Sequence, residues 1–539
     1  MAIRLETEVI VIGGGATGAG VLRDLAIRGI KALLVEQKDL TNGTSARYHG
    51  LLHSGARYAV SDQEAAIEIY RENLLIKKTI PGSVEETGGL FVKLPQDDDQ
   101  YLETWINACQ AIGIPLEKVT VSDALQEEPL INKAAQAVYR VPDGAVDGFT
   151  MVIDLVADAV NRGAKVLTYH QVIQLIIREN KAIGVKARNN YSGETTEIYA
   201  DLIVNASGPW AAKVAELAGI HLEMINHKGL LTVFSHRFNK QVINRLRMPS
   251  DADIFVPAHN VTIFGTTEEN VIEPDDLSID RDELAAMLQE GSALIPELQS
   301  IRILRAFSGV RPLYQRKNRL EKSGRNISRE MALLDHQESD GIAGIITITG
   351  GKLTTFRYMA EKTVDLVCTK LGISAACSTM TEVVPHRLVK DFFVEVNLAP
   401  AAKNKLLHWA GENSQTIENN LKAEGILNTI VCECEQVTLG EIEAALPESR
   451  FSLGDIRRRT RLGMGPCQGT FCTHRTAAFA VARGKAPVEE AEEAVKKALE
   501  ERQKGMNVLA IGESAKQLEL MEAIYHISLG LRREKPPNV

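Results

Sequence analysis

The chain has 539 residues, enough at roughly 150 per domain for three or four domains. Its 61 Lys and Arg stand against 70 Asp and Glu, a net charge of −9, and this acidic excess argues against a dedicated nucleic-acid binder. With 45% apolar and 24% charged residues the composition is ordinary globular, which excludes collagen, coiled-coil and disordered classes.

At the N-terminus the apolar run before the glycines is only four residues long, short of the ~7–15 of a secretory signal. No stretch approaches the ~18 consecutive apolar residues of a membrane span. The expectation is a cytoplasmic protein whose membrane contact is indirect. Residues 8–12, rich in β-branched side chains, read as a buried parallel strand. The strand runs into Gly13-Gly14-Gly15-Ala16-Thr17-Gly18, a G-x-G-x-x-G pattern at Gly13, Gly15 and Gly18. Gly13 suits the tight turn, Gly15 the approach of a pyrophosphate, and Gly18 the packing of helix on strand. Residues 19–28 read as the helix, whose N-terminus offers N–H groups to phosphate, and residues 32–35 as a second strand. Glu36 closes that strand and can accept hydrogen bonds from a ribose hydroxyl. This order predicts a dinucleotide site without choosing between FAD and NAD.

Residues 41–58 are dense in small, hydroxyl, His and Arg side chains, including Thr44, Ser45, His49, His53, Arg57 and Tyr58. Such a segment suits anion contacts beside a reactive ring. Further along stand a strand-like 201–204 leading into Asn205-Ala206-Ser207-Gly208-Pro209-Trp210, then Ser308-Gly309-Val310-Arg311-Pro312. A further strand-like run, 345–348, leads into Gly350-Gly351-Lys352-Leu353-Thr354-Thr355-Phe356-Arg357, where two glycines and an expected helix make a second anion-accepting terminus. Residues 390–423 read as short polar amphipathic helices around Trp409, and 491–503 and 514–529 as helices of a tail ending in the polar stretch 532–537.

Four of the seven cysteines crowd together as C-x-C at Cys432 and Cys434 and, after 32 residues, C-x₄-C at Cys467 and Cys472. Structural zinc, disulfides and a [2Fe–2S] cluster compete for them. Zinc favours C-x₂₋₄-C pairs, and a reducing compartment disfavours disulfides. Arg457, Arg458, Arg459, Arg461 and Arg475 face a single acid, Asp455, between residues 451 and 475, and cations there suit a negatively charged four-thiolate cluster. Cys109, Cys368 and Cys377 have no motif around them and read as ordinary thiols.

The motifs at 13–18, 44–58, 205–210, 309–312 and 350–357 together resemble the FAD-dependent glycerol-3-phosphate dehydrogenases, over almost the whole chain. The ending G-M-G-x-C-Q-G-x-x-C at 463–472 resembles the bacterioferritin-associated-ferredoxin type of [2Fe–2S] domain. That combination looks like the A subunits of the anaerobic branch of the family. The resemblance implies an α/β fold with a Rossmann-type FAD-binding domain of the glutathione-reductase/D-amino-acid-oxidase type at 1–80, 140–220 and 325–380. An α+β substrate domain with an antiparallel sheet, at 81–139 and 221–324, interleaves with it. A helical linker at 381–430, the iron–sulfur domain at 431–485 and a helical tail at 486–539 follow.

The same resemblance implies FAD contacts at Gly13, Gly15, Ala16, Thr17, Gly18, Glu36, Thr44, Ser45, Val172, Ala206, Gly208, Gly350, Gly351 and Leu353. It implies cluster ligation by Cys432, Cys434, Cys467 and Cys472, and a substrate site of His53, Arg57, Tyr58, Arg311, Lys352 and Thr354. Oxidising a secondary alcohol needs a base for its proton, and a dianionic phosphate needs several cations, preferably arginines. Aerobic members carry K-G-x-H, whereas this chain has Lys228-Gly229-Leu230-Leu231, with Leu231 in the histidine's place. His53 is therefore the favoured base, ahead of His49 and His227. The implied activity is oxidation of sn-glycerol 3-phosphate to dihydroxyacetone phosphate, as in anaerobic respiration on glycerol. Electrons would pass through the cluster to companion electron-transfer and membrane-anchor subunits and on to quinone, at the inner face of the cytoplasmic membrane. A related hydroxy-acid or amino-acid oxidoreductase is one alternative, but a single carboxylate rarely needs three cations. A non-catalytic electron-transfer subunit is the other.

Overall fold

A strand that is apolar at every position needs cover on both faces, and Val9–Ile12 has it: all four residues are buried. In the computed structural model, which describes residues 3–315, 331–385, 395–446, 450–510 and 512–531, this strand lies inside a six-stranded sheet. The expected boundary at 325, the helix start at 390 and the polar end at 532–537 lie outside those residues. The sheet runs Lys165–Leu167, Ala32–Val35, Val9–Ile12, Leu202–Asn205, Ile345–Gly350 and Met331–Asp335. Its pairs are parallel except the last. Chain order thus moves outward from Val9–Ile12 on one side and resumes on the other at Leu202–Asn205. The first helix spans Ala16–Ile27, starting earlier than the pattern suggests because Gly15 already serves as its extended N-cap. Phe356–Leu371 and Gly148–Asn161 pack against it. A four-stranded sheet (Ile3–Glu6, Thr195–Tyr199, Lys181–Asn189, His170–Arg178) covers the opposite side, with Leu175, Val185 and Ile198 buried against Ile10 and Leu33.

A nine-stranded sheet carries the second apolar core, around Leu90, Val92, Phe234, Phe255 and Phe264. Its longest ladder pairs Met224–Phe234 antiparallel with Ile303–Tyr314, placing Gly229 opposite Gly309 and His227 opposite Arg311. The expected antiparallel pattern holds except at one parallel pair, Gly89–Lys93 with Val242–Arg245. These two strands are joined through a long excursion into the other sheet rather than by a hairpin, and only a crossover permits parallel pairing.

The C-terminal unit begins with the hairpin Ile430–Cys432 and Val437–Thr438 and continues through the helices Leu439–Ala445, Leu453–Thr460, Cys472–Ala482 and Val488–Asn507. Glu513–Glu522 then passes into a wider final turn, Ala523–Ser528, and Tyr525 plugs the core beside Val495 and Leu499. Before this unit, Pro400–Trp409 and Ser414–Ala423 supply the short helices expected around Trp409.

The arginine run, read as counter-charge for the cysteines, is aimed elsewhere. Arg459 grips Asp39 through Nη1 and Nη2 at 2.7 and 2.9 Å, and Arg458 Nε reaches the same carboxylate at 3.0 Å. Arg461 bridges Asp147 and Glu435, each at 3.1 Å. Arg475 pairs with Glu433 at 2.7 Å. Three of these arginines therefore fasten the C-terminal unit to carboxylates of the Rossmann half. The physical reason is the direction of the Leu453–Thr460 helix, whose last turn faces Asp39 rather than the thiols. Burial pushes the Asp39 carboxyl up, but the Arg459 and Arg458 guanidiniums outweigh it and hold it below the usual range. Asp147 is likewise held low against burial, by His259 and Arg461. A carboxyl depressed by folding stabilises the fold above its unfolded pKa of about 3.9, and that contribution is lost as pH falls through the folded value. Asp39 is 2% exposed, so Asp39→Ala leaves two guanidiniums facing a dry gap. The expected cost is about 3–5 kcal/mol, seen as early proteolytic release of the C-terminal unit and a lower urea midpoint. Asp39→Asn should lose less stability than the parent chain between pH 5 and pH 2.

Candidate active site

Val9–Ile12 and Leu202–Asn205 end side by side at the point where strand order reverses, and a crevice opens beyond such ends. Here it is a cleft of about 1080 Å³. That exceeds the ~300–1,000 Å³ of a single-ligand site, as an extended dinucleotide with a small substrate would require. Gly13 takes φ 112°, and a Cβ on it would lie 2.6 Å from the Ala206 carbonyl oxygen, so only glycine fits. Gly18 is the one expected cofactor residue outside the cleft lining. A Cβ there would sit 1.9 Å from the Gly13 carbonyl oxygen, so its job is to seat the helix on the turn. The helix N-terminus faces the cleft with no cap from its own N-cap residue, and Ala16 N donates to Ser45 Oγ at 2.9 Å. Glu36 accepts from Gly14 N at 2.7 Å and Lys38 N at 2.8 Å, and burial raises its pKa. Thr44 Oγ1 donates to the Val310 carbonyl at 2.6 Å, tying the 41–58 segment to the long ladder. Gly15, Thr17, Val172, Ala206, Gly208, Gly350, Gly351 and Leu353 complete this wall. An open helix terminus for pyrophosphate and a half-buried acid for ribose hydroxyls fit FAD.

After Gly351 a short 3₁₀ turn, Leu353–Thr355, precedes the helix Phe356–Leu371, so the helix terminus is set back from the glycines. Thr355 Oγ1, accepting from Lys352 N at 3.1 Å, holds that turn. Arg357 of the same motif points away from the cleft. It pairs with buried Glu72 at 2.8 and 2.6 Å and is structural.

His53, Arg57, Tyr58, Arg311, Lys352 and Thr354 all line the cleft. Arg57 Nη2 reaches the Ser250 carbonyl at 2.9 Å and Asp253 Oδ2 at 3.0 Å, which leaves Nε and Nη1 without a described partner. Arg311 Nη2 donates to Thr266 Oγ1 at 2.5 Å. Lys352 Nζ stands 4.3 Å over the Tyr58 ring, and the His53 ring lies 5.4 Å from Tyr58 and 6.0 Å from His49. Thr354 Oγ1 is buried with no hydrogen-bond partner. Leu231 lines the cleft and gives it an aliphatic wall there. Lys228 turns away toward Glu269 at 2.7 Å. Sequence reasoning missed Asp253, which is fully buried and shared by Arg57 and Arg247, and it missed Thr266 and Ser250. No motif marks these residues, because they lie in turns beside the strands Ile254–Ala258 and Val261–Gly265, and only folding brings Ser250 and Thr266 to the cleft and Asp253 to Arg57.

The four clustered thiols pair off, Cys432 with Cys472 and Cys434 with Cys467. The Cys434 contact, together with N–H groups of Gly469, Thr470 and Phe471, brings the Cys467 thiol down to about 6 despite burial. Cys472, with N–H groups of Gly463 and Glu435, lowers Cys432, while Cys434 and Cys472 are raised. Among the described residues no three His, Cys, Asp or Glu side chains converge on one metal-ion position. Two thiol pairs with backbone donors match two iron atoms taking two thiolates each better than a single zinc tetrahedron. The cation beside them is Arg502, 5% exposed, which the sequence reading did not single out.

A family model described as FAD dependent oxidoreductase matches residues 8–360, and one described as BFD-like [2Fe-2S] binding domain matches residues 430–479. Over 537 residues the chain is 41% identical to the A subunit of the anaerobic glycerol-3-phosphate dehydrogenase of Escherichia coli (strain K12), with 98% of each chain covered. Its counterpart in Haemophilus influenzae is 40% identical, covering 99% of this chain and 95% of that protein. The fold superposes on the glycerol-3-phosphate dehydrogenase from Bacillus halodurans complexed with FAD with a TM-score of 0.67 at 21% identity, covering 93% and 95% of the two chains. With both family models in place and full-length identity at this level, the chain belongs to the FAD-dependent oxidoreductases, in the family of anaerobic glycerol-3-phosphate dehydrogenase A subunits.

Proposed function

We propose that this chain oxidises sn-glycerol 3-phosphate to dihydroxyacetone phosphate and passes the electrons, through a [2Fe–2S] cluster on Cys432, Cys434, Cys467 and Cys472, to companion subunits and membrane quinone. The observation that carries the reading is that Arg57, Arg311 and Lys352, from three separate motifs, all line one dinucleotide-sized cleft. FAD held by that cleft would supply the two-electron acceptor for the carbinol hydrogen. The chain does the rest. The two arginines, with Lys352, bind the phosphate dianion, and Thr266 and Asp253 hold their guanidiniums in place. Thr354 and Tyr58 offer neutral hydrogen bonds to the glycerol hydroxyls. His53 takes the proton of the secondary hydroxyl, a task suited to an imidazole, whose reference pKa is about 6.5. Leu231 keeps water from the reacting carbon.

Among the described residues no helix is long and apolar enough to cross a membrane. In this reading the chain sits peripherally at the inner face of the cytoplasmic membrane, held by an anchoring partner. Anaerobic addition of glycerol 3-phosphate should bleach the flavin bands, while lactate and D-amino acids leave them unchanged; no bleaching with glycerol 3-phosphate overturns the activity. Arg311→Gln is expected to raise KM at least about tenfold with FAD content unchanged. His53→Asn should lower kcat by ~10²–10⁴-fold and remove one limb of the pH–rate profile. Cys434→Ser and Cys467→Ser should lose iron and sulfide but keep substrate bleaching, with electron delivery to an external quinone abolished. Zinc in place of iron in the parent protein would refute the cluster.

A further inference from the structure

Between the C-terminal unit and the Rossmann half lies a second cavity, of about 690 Å³. That volume falls within the ~300–1,000 Å³ of organic-ligand sites. It shares with the first cleft only the wall formed by Lys38, Asn42 and residues 47–49. Seven arginines line it: Arg450, Arg458 and Arg461 are paired with carboxylates, and Arg47, Arg305, Arg457 and Arg502 come from four separate stretches of chain. Arg502 Nη1 and Arg457 Nε are buried and have no hydrogen-bond partner. Among the described residues none of these last four forms a salt bridge. The acid acting on Arg47 and Arg305 is Glu501, and its carboxylate is already bonded to Lys504 at 2.6 Å.

The cysteine cluster accounts for only one of these cations. Thiols are prominent among the charges acting on Arg502, but those acting most on Arg457 are other arginines, and no thiol figures for Arg47 or Arg305. Burial, with repulsion from neighbouring arginines, brings Arg305 down to about 10 and lowers Arg47 and Arg457. Like charges gathered in a desolvated space are costly unless a counter-charge joins them. The planar guanidinium fork is the group best shaped for phosphoryl oxygens. Phe149 and Phe307 give the same cavity an aromatic wall.

We propose that this cavity binds an organic phosphate monoester, its dianionic phosphoryl group held by Arg305, Arg457 and Arg502 and its organic part lying against Phe149 and Phe307. Such a ligand joins the Ile303–Tyr314 strand to the Leu453–Thr460 and Val488–Asn507 helices through one anion, at the junction between the cleft and the thiols.

The test uses the full-length protein with flavin and cluster in place and phenyl phosphate as the calorimetric probe. Phenyl phosphate should bind once at this cavity, survive Arg311→Gln, and weaken at least about tenfold in both Arg457→Gln and Arg305→Gln. In those two variants bleaching by glycerol 3-phosphate should persist, and unchanged iron content and circular dichroism check that they fold. Absence of binding overturns the proposal. So does binding abolished by Arg311→Gln and unaffected by Arg457→Gln. Inorganic phosphate binding as tightly as phenyl phosphate would overturn the assignment to an ester.

Discussion

Two carboxylates of the Rossmann half, Asp39 and Asp147, hold the C-terminal unit through Arg458, Arg459 and Arg461. Asp39 lies just beyond the strand that ends at Val35, directly after Lys38 of the cleft wall, and Asp147 also caps the Gly148–Asn161 helix at 2.9 and 3.1 Å. The groups that bind the thiol unit are therefore part of the framework that shapes the cleft. Arg461 goes further, since its second partner, Glu435, adjoins Cys434. Asn260 of the substrate sheet donates to the Cys434 carbonyl at 2.6 Å. All three parts of the molecule thus meet around one cysteine turn. Buried, multiply hydrogen-bonded pairs of this kind are costly to break singly, so they hold a unique docking geometry rather than adding much net stability.

The second organising element is the ladder between Met224–Phe234 and Ile303–Tyr314. It carries Leu231 and Arg311 on adjacent strands of one rigid sheet, and Thr44 bonds that sheet to the loop following the nucleotide-binding strand. Substrate-facing groups on paired strands hold their spacing better than groups on loops. The Rossmann half lines the cleft with the glycine turn and Glu36; the ladder adds Leu231 and Arg311 to the same cleft.

Much of the fold was legible in the chain. Val9–Ile12 and Ala32–Val35 stand out because a fully buried parallel strand is apolar at every position, and Ile345–Gly350 by its β-branched run, although it buries Thr347 and Thr349. The glycine pattern at 13–18 stands out because the turn at Gly13 and the contact at Gly18 exclude any Cβ. The six substrate-facing candidates were reached by motif resemblance, and all six line the cleft. Asp253, Thr266 and Arg502 were not reached, since a residue that positions another carries no local pattern. Nor did the sequence disclose where its basic run points. A cluster of arginines reads alike whether it faces sulfur or carboxylate, and only the orientation of the Leu453–Thr460 helix separates the two.

By itself the sequence determined the local chemistry: a nucleotide turn, three cationic motifs, a leucine where aerobic members have histidine, and four thiols in two close pairs. These follow from steric limits and ligand types that act within a few residues. The tertiary structure alone decided the partners. It gave Arg459 to Asp39, Arg57 to Asp253, Arg357 to Glu72 and Arg502 to the thiols, and it enclosed unpaired arginines around a second cavity. Each of these pairings spans tens to hundreds of residues of chain. Charge–charge attraction does not depend on sequence distance, so the partner of a buried charge is set by packing.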